Sequence, residues 1–148
     1  MSTQNIIIRE CELKDIPYLT SLTKELGYDT TTDQMTERMS NIMTLNNYWT
    51  LVAVAEDMVV GYIGLIKNYF WEQDGPYLRV QALVVNADYR KLGVGQKLIQ
   101  AAEQLARNHN IKTIVLNCTN REERQAAHKF YPKLGFESKS TGYVKQLK

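Results

Sequence analysis

Arg90, Gly93 and Gly95 fall in a stretch whose neighbours give their spacing a chemical meaning. Before them runs Leu83-Val84-Val85, apolar and β-branched as a buried strand is. Asn86-Ala87-Asp88 breaks that run with turn-forming residues. After them, Leu98, Ile99, Ala102, Leu105 and Ala106 recur at helical spacing. The unit reads strand, glycine loop, helix, with both glycines where the helix begins. A helix start offers backbone N–H groups with no internal acceptor, together with the positive end of the helix dipole. Glycines there remove Cβ atoms and let an anion reach the main chain. Arg90 can add a charge-assisted contact to phosphate. The chemistry of this spacing is therefore a phosphate or pyrophosphate cradle. The same residues in a protein with no ligand would be a glycine-bearing β–α turn with a solvated arginine. Arg90 and the strand before it favour the cradle. No G-x-x-x-x-G-K-[ST] loop occurs, and Leu98 stands where a dinucleotide fingerprint needs its third glycine.

Arg90-x-x-Gly93-x-Gly95 resembles the acyl-CoA pyrophosphate loop (Q/R-x-x-G-x-G/A) of the GNAT N-acetyltransferases. A second segment, Ala127-His128-Lys129-Phe130-Tyr131-Pro132-Lys133-Leu134-Gly135-Phe136, resembles the A-x-x-F-Y-x-x-x-G-F segment of the same family, in the same order along the chain. The resemblance implies acetyl-CoA as co-substrate and no metal. It implies pantetheine contacts at Leu83, Val84 and Val85, and pyrophosphate contacts at the amides of Lys91, Leu92, Gly93, Val94, Gly95 and Gln96. Lys91 and Lys97 would attract the 3′-phosphate or simply face solvent. The tyrosine of the F-Y pair, Tyr131, is implied as the acid that protonates the departing thiolate. A phenol suits that role because it stays protonated at pH 7. Spacing alone reads Tyr131 as a core residue beside Phe130 and Leu134. His128 reads as structural or surface.

Two positions depart from the family pattern. Gln81 stands where many relatives carry a glutamate that deprotonates the amine, and a neutral amide cannot be a base. It can order a water. Arg124 stands where many relatives carry a cofactor-binding asparagine; it would contact phosphate instead or point to solvent. Glu72 and Asp74 are fallback groups for binding the amine, with a solvated turn as the plainer reading.

These residues need a scaffold, and the chain in order supplies one. Asn5 to Arg9 reads as a short strand, Leu13 to Leu26 as a helix stopped by Gly27, and Met35, Met39, Ile42, Met43 and Leu45 as a second helical face. That methionine stripe reads first as core; in the resembled family the segment between these helices lines the acceptor pocket, which methionines would suit. Trp49 to Ala55 and Met58 to Tyr69 read as strands joined at Glu56-Asp57, with Gly61 and Gly64 marking a bend or bulge. Tyr77 to Val85, the helix Val94 to Arg107 and a strand at Lys112 to Cys118 form a β–α–β unit, right-handed by rule. Glu122 to Leu134 reads as a helix, and Phe136 to Lys139 and Tyr143 to Leu147 as a final strand pair. The expected fold is a mixed α+β sandwich of one domain, 1–148. Its central sheet is mostly antiparallel, flanked by helices, with one parallel pair that the resemblance implies is splayed around the thioester.

With 44% apolar and 23% charged residues, the composition is that of an ordinary globular protein. A formal net charge of +2 gives no argument for nucleic acid. No apolar run approaches the roughly 20 residues that span a bilayer, and no signal-peptide core opens the chain. Cys11 and Cys118 are not spaced as metal ligands. A cytoplasmic protein with reduced thiols, without metal, membrane or nucleic-acid partner, is the expectation. Dimers are frequent among GNAT proteins, so a homodimer is expected, though no interface is legible. The expected activity is acetyl transfer to a primary amine of a small molecule or peptide. The alternatives are a GNAT-like sensor that binds acyl-CoA with little turnover, and a nucleotide-binding α/β protein. Tyr28, Met35, Trp49, Phe70, Trp71 and Tyr77 are candidates for an aromatic acceptor pocket, or for core or dimer surface.

Overall fold

The glycine loop sits between a strand and a helix, as its sequence predicts. In the computed structural model, which describes residues 5–117, 130–137 and 143–147, the chain forms two compact units, Met1–Val115 and Leu116–Lys148. The first carries β1 (Ile7–Glu10), α1 (Ile16–Leu26), α2 (Thr32–Ile42), β2 (Tyr48–Ala55), β3 (Met58–Tyr69), β4 (Pro76–Val85), α3 (Val94–Asn108) and the start of β5 (Ile114–Leu116). The strands lie in the order β1-β2-β3-β4-β5, and the first three pairings are antiparallel. The crossover through α3 sets β5 beside β4, completing a mixed sheet with helices packed on it.

Local chemistry explains the helices. Pro17 lies in the first turn of α1, and Gly27, at φ +111°, closes it by donating its N–H to the carbonyls of Lys24 and Thr23. At the start of α2, Thr31 Oγ1 accepts from the Gln34 amide at 3.1 Å while Gln34 Oε1 accepts from the Thr31 amide at 3.1 Å. Met35 and Met39 are buried, but α2 ends at Ile42, and Met43 and Leu45 lie beyond it, exposed. The predicted stripe is thus shorter than its spacing suggests, because Thr44-Leu45-Asn46-Asn47 turns the chain toward β2. Glu56 and Asp57, at φ +53° and +66°, are both left-handed, which matches the twist of the β2–β3 hairpin.

The sheet has two covered faces. Tyr62, Val52 and Val84 pack with Leu19, Leu22, Met35 and Met39 of α1 and α2. Gly61 points the other way, toward α3, whose Val94, Leu98, Ile99, Ala102 and Ala106 are buried. A Cβ on Gly61 would stand 3.0 Å from the Val84 carbonyl and 3.3 Å from side-chain atoms of Leu98 and Val94. Gly61 is therefore what lets α3 approach the sheet. Gly61→Ala is expected to destabilise the fold by about 1–3 kcal/mol, read as a lower urea midpoint.

The glycines of β3 do accompany irregularities, although not in the manner of a simple bend. Ala53 faces Gly61 while Val54 faces Val59, so Val60 is an extra residue on β3. Gly64 faces Ala82 while Leu65 faces Val80, so Gln81 is an extra residue on β4.

Under α1, Arg9 forks onto Asp15, with Nη1–Oδ2 at 2.8 Å and Nη2–Oδ1 at 2.9 Å; the Glu12 amide also donates to Asp15 Oδ2 at 2.8 Å. The Arg9 hydrogen bonds hold the buried Asp15 carboxyl below the usual carboxylate range, against the opposing effect of burial. A depressed folded-state pKa stabilises the protein above the unfolded value, about 3.9, and this stability is lost as pH falls through the folded value. Asp15→Asn is expected to cost about 2 kcal/mol at pH 7. Urea unfolding from pH 7 to pH 3 should show the variant's stability falling less steeply than that of the wild type.

In the second unit, residues 130–133 form a helical turn, ended by Gly135 at φ +92°. The Tyr131 carbonyl accepts from the amides of Leu134 (2.9 Å) and Phe136 (3.2 Å). Most of the helix expected over Glu122 to Leu134 lies outside the described residues. Of the expected last strand pair, residues 136–137 and 143–147 are described, and they take no strand.

Candidate functional site

The end of β4 is tied down before the glycine loop begins. The Asn86 amide donates to the Val60 carbonyl at 2.8 Å, and Asn86 Oδ1 accepts from the Asp88 amide at 2.8 Å. The Tyr89 amide donates to the Asn86 carbonyl at 2.9 Å, and the Tyr89 ring is buried. Glu25, at the end of α1, accepts from the Ala87 amide at 3.4 Å. Arg90 Nε donates to the Val85 carbonyl at 3.2 Å, so this exposed arginine folds back over the strand end and braces the loop. Its remaining guanidinium nitrogens extend beyond that bond.

The loop then takes two left-handed steps, Lys91 at φ +66° and Gly93 at φ +84°. Gly93 is the N-cap of α3, and among the described residues no side chain caps this helix end. The Lys97 amide donates to the Gly93 carbonyl at 3.0 Å. The amides of Val94, Gly95 and Gln96 precede that first helical bond, so the helix itself gives them no acceptor. Among the described residues, and apart from its chain neighbours, nothing lies within 4 Å of where a Gly93 Cβ would be. The structure thus has an uncapped helix start, open space in front of it, and Arg90, Lys91 and Lys97 around it. Those groups fit an anion.

On β4 itself, Val84 is buried against α1 and α2, so only its main chain can serve a ligand. Leu83 and Val85 are half-buried on the opposite face. Gln81 is exposed at the bulge. The Leu78 amide donates to the Thr113 carbonyl at 2.9 Å, so the short β5 starts level with Leu78 and accompanies the part of β4 leading to Gln81.

Tyr131 belongs to the second unit. Its half-buried ring meets Phe130 edge-on (centroids 5.3 Å, 65°) and Phe136 likewise (5.8 Å, 72°). Arg124 and His128 lie outside the described residues.

The candidates for an acceptor pocket, core or dimer surface fall in different places. Met35 is core, and Trp71 is fully exposed. Trp49 stacks on His109 at the end of α3 (5.0 Å), whereas Phe70 stacks on Tyr77 (4.4 Å). The register puts Trp49, opposite Leu65, and Tyr77, opposite Asn68, on opposite faces of the sheet. Sequence reasoning missed a polar cluster on the α1/α2 face. Tyr62 Oη lies 2.6 Å from Thr23 Oγ1, and Arg38 donates to Thr30 Oγ1 and, at 3.5 Å, to Met35 Sδ. Burial pushes the Tyr62 phenol up, while Thr23 and the nearby Arg38 charge oppose this. Thr23 and Tyr62 are 39 residues apart, and no local spacing announces their contact.

Cys11 is a buried thiol pushed up to about 11, first by burial and then by Asp15, which keeps it neutral. Among the described residues no group of three or more His, Cys, Asp or Glu could hold a metal ion, and no helix is long and apolar enough to cross a membrane.

Comparison with known proteins agrees with this geometry. The model of the Acetyltransferase (GNAT) family matches residues 16–136. A GNAT family acetyltransferase from Staphylococcus aureus is 30% identical, over 99% of this chain and 100% of that one, with a TM-score of 0.82. The fold is also that of glucosamine-6-phosphate N-acetyltransferase from Arabidopsis thaliana (18% identity, 98% and 100% covered, TM-score 0.81). An aminoglycoside N-acetyltransferase solved with CoA shares it as well (18%, 97% and 95%, TM-score 0.83). No curated protein matches at the sequence level. The uncapped glycine cradle, the mixed sheet around it and the family match lead to one conclusion: this chain belongs to the GNAT family of acetyltransferases.

Proposed function

We propose that this protein is an acetyl-CoA-dependent N-acetyltransferase acting on a primary amine of a small molecule or peptide. The observation that carries this reading is the open, uncapped start of α3 at Gly93. Its amides, from Lys91 to Gln96, bind the pyrophosphate, and Arg90 and Lys91 neutralise its charge. The main chain of Leu83 to Val85 lies along the pantetheine. Acetyl-CoA, when bound, supplies an activated thioester.

The chain then has three tasks. A main-chain amide at Val84 or Val85 stabilises negative charge on the carbonyl oxygen. Gln81, exposed at the bulge, orders a water through which the amine proton leaves. The Tyr131 phenol donates its proton to the leaving thiolate and regains one from solvent. The amine nitrogen forms its bond to the acetyl carbon as the carbon–sulfur bond breaks, so no covalent enzyme intermediate is needed. The role of Tyr131 rests on the F-Y segment. The small-molecule acceptor finds support in the names of two structural neighbours, an aminoglycoside and a glucosamine-6-phosphate N-acetyltransferase.

Gln81 supports a second reading, an acyl-CoA sensor with little turnover, because it replaces a basic carboxylate with a neutral amide. Thermal-shift and thiol-release assays with acetyl-CoA and a panel of amines separate the two. Stabilisation with amine-dependent release supports the enzyme; stabilisation without release supports the sensor. Protection by ATP or NAD in place of acetyl-CoA would refute both.

A further inference from the structure

The amides around the glycine loop divide into two sets. Those from Asn86 to Arg90 are all used. The Asn86 amide donates to the Val60 carbonyl of β3, and those of Asp88, Tyr89 and Arg90 donate within the turn itself, to Asn86 Oδ1, the Asn86 carbonyl and the Ala87 carbonyl. The Ala87 amide alone in this set turns to a helix: it donates to Glu25 Oε1 at 3.4 Å, across 62 residues of sequence. The amides of Val94, Gly95 and Gln96 then find no acceptor in α3 and make the cradle. Glu25 thus ties α1 to the turn from which the cradle starts.

That tie has a firm support. Leu19 and Leu22 of α1 are buried and share a core cluster with Val84, near the end of β4. A carboxylate on the last turn of this helix fixes the Ala87 amide relative to the sheet. The bond is long and solvent-exposed, so it adds little to global stability. Its effect falls on the loop. Lys91 and Gly93 take left-handed steps just beyond the turn, and their placement depends on where the turn is held. A loop already held in its binding conformation has less order to gain when an anion arrives.

Resting on the acetyl-CoA reading of the cradle, we infer that Glu25 is a positioning residue: through the Ala87 amide it sets the loop, and so strengthens acetyl-CoA binding without a cofactor contact of its own. The backbone offers an independent way to break the same bond. Asn86, at φ −51° and ψ 135°, is in the extended, polyproline-like region that suits a residue before proline. Ala87 opens a short 3-10 turn, Ala87–Tyr89, where φ is that of proline and its own N–H is not used by the turn. Ala87→Pro therefore removes the donor and keeps the turn.

The test is calorimetry with acetyl-CoA on the wild type, Glu25→Ala, Glu25→Gln, Ala87→Pro and the Glu25→Ala/Ala87→Pro double variant. Glu25→Ala should weaken binding by about threefold or more, with kcat at saturating acetyl-CoA and the melting temperature close to those of the wild type. Glu25→Gln keeps an accepting oxygen and should bind as the wild type does. In the Ala87→Pro background, Glu25→Ala should have no further effect. Equal affinity in Glu25→Ala and the wild type, a loss in Glu25→Gln as large as in Glu25→Ala, or an undiminished loss in the Ala87→Pro background would overturn the assignment while leaving the cradle intact. Absence of acetyl-CoA binding by the wild type would instead remove the cradle reading, and this inference with it.

Discussion

Gly93→Val is expected to raise the acetyl-CoA dissociation constant by about tenfold or more. Two effects add. At φ +84° a β-branched residue is strained by about 1–2 kcal/mol, which pulls the loop away from its left-handed step. The new side chain also enters the space before the α3 amides, where among the described residues nothing stands within 4 Å of the Cβ position. Gly75 supplies the control. It too is left-handed, at φ +86°, and among the described residues nothing stands within 4 Å of its Cβ position, but it precedes β4 at the end opposite the glycine loop. Gly75→Val should lower the melting temperature and leave acetyl-CoA affinity alone. Calorimetry measures both variants. Equal affinity in Gly93→Val and wild type would mean that the cradle does not hold the cofactor.

Tyr131→Phe is expected to lower kcat by about 10²-fold with little change in the KM for acetyl-CoA. The substitution keeps the ring that meets Phe130 and Phe136 edge-on and removes only the hydroxyl. If Tyr131 is the proton donor, the loss appears in turnover, and it shrinks when the leaving thiol is more acidic and needs protonation less. A purely structural tyrosine predicts a lower melting temperature with kcat preserved.

The legibility of this chain depended on distance along the sequence. Leu83-Val84-Val85, the turn at Asn86 and the stripe from Leu98 to Ala106 each show their element within a few residues, and the structure places strand, loop and helix accordingly. The stop at Gly27 and the hairpin at Glu56-Asp57 were legible for the same reason. What depended on partners was not. Gln81 reads as a replaced residue in the sequence, yet its place as the extra residue of a bulge follows from how β3 pairs with β4. The aromatic residues from Tyr28 to Tyr77 look like one group until the register puts Trp49 and Tyr77 on opposite faces. The Glu25 bond to Ala87 and the Thr23–Tyr62 and Arg38–Thr30 contacts join separate elements or a helix to the loop before it. Arg90 illustrates both sides. Its position was legible, but its bond to the Val85 carbonyl shows that it braces the loop as well as carrying charge.

The most direct test of the account is amine-dependent release of free thiol from acetyl-CoA by the purified protein. The account predicts release that requires acetyl-CoA, amine and protein together, saturates in both substrates, and falls sharply in Gly93→Val at subsaturating acetyl-CoA. Release that is indifferent to the amine, or equal in Gly93→Val and wild type under those conditions, would contradict it.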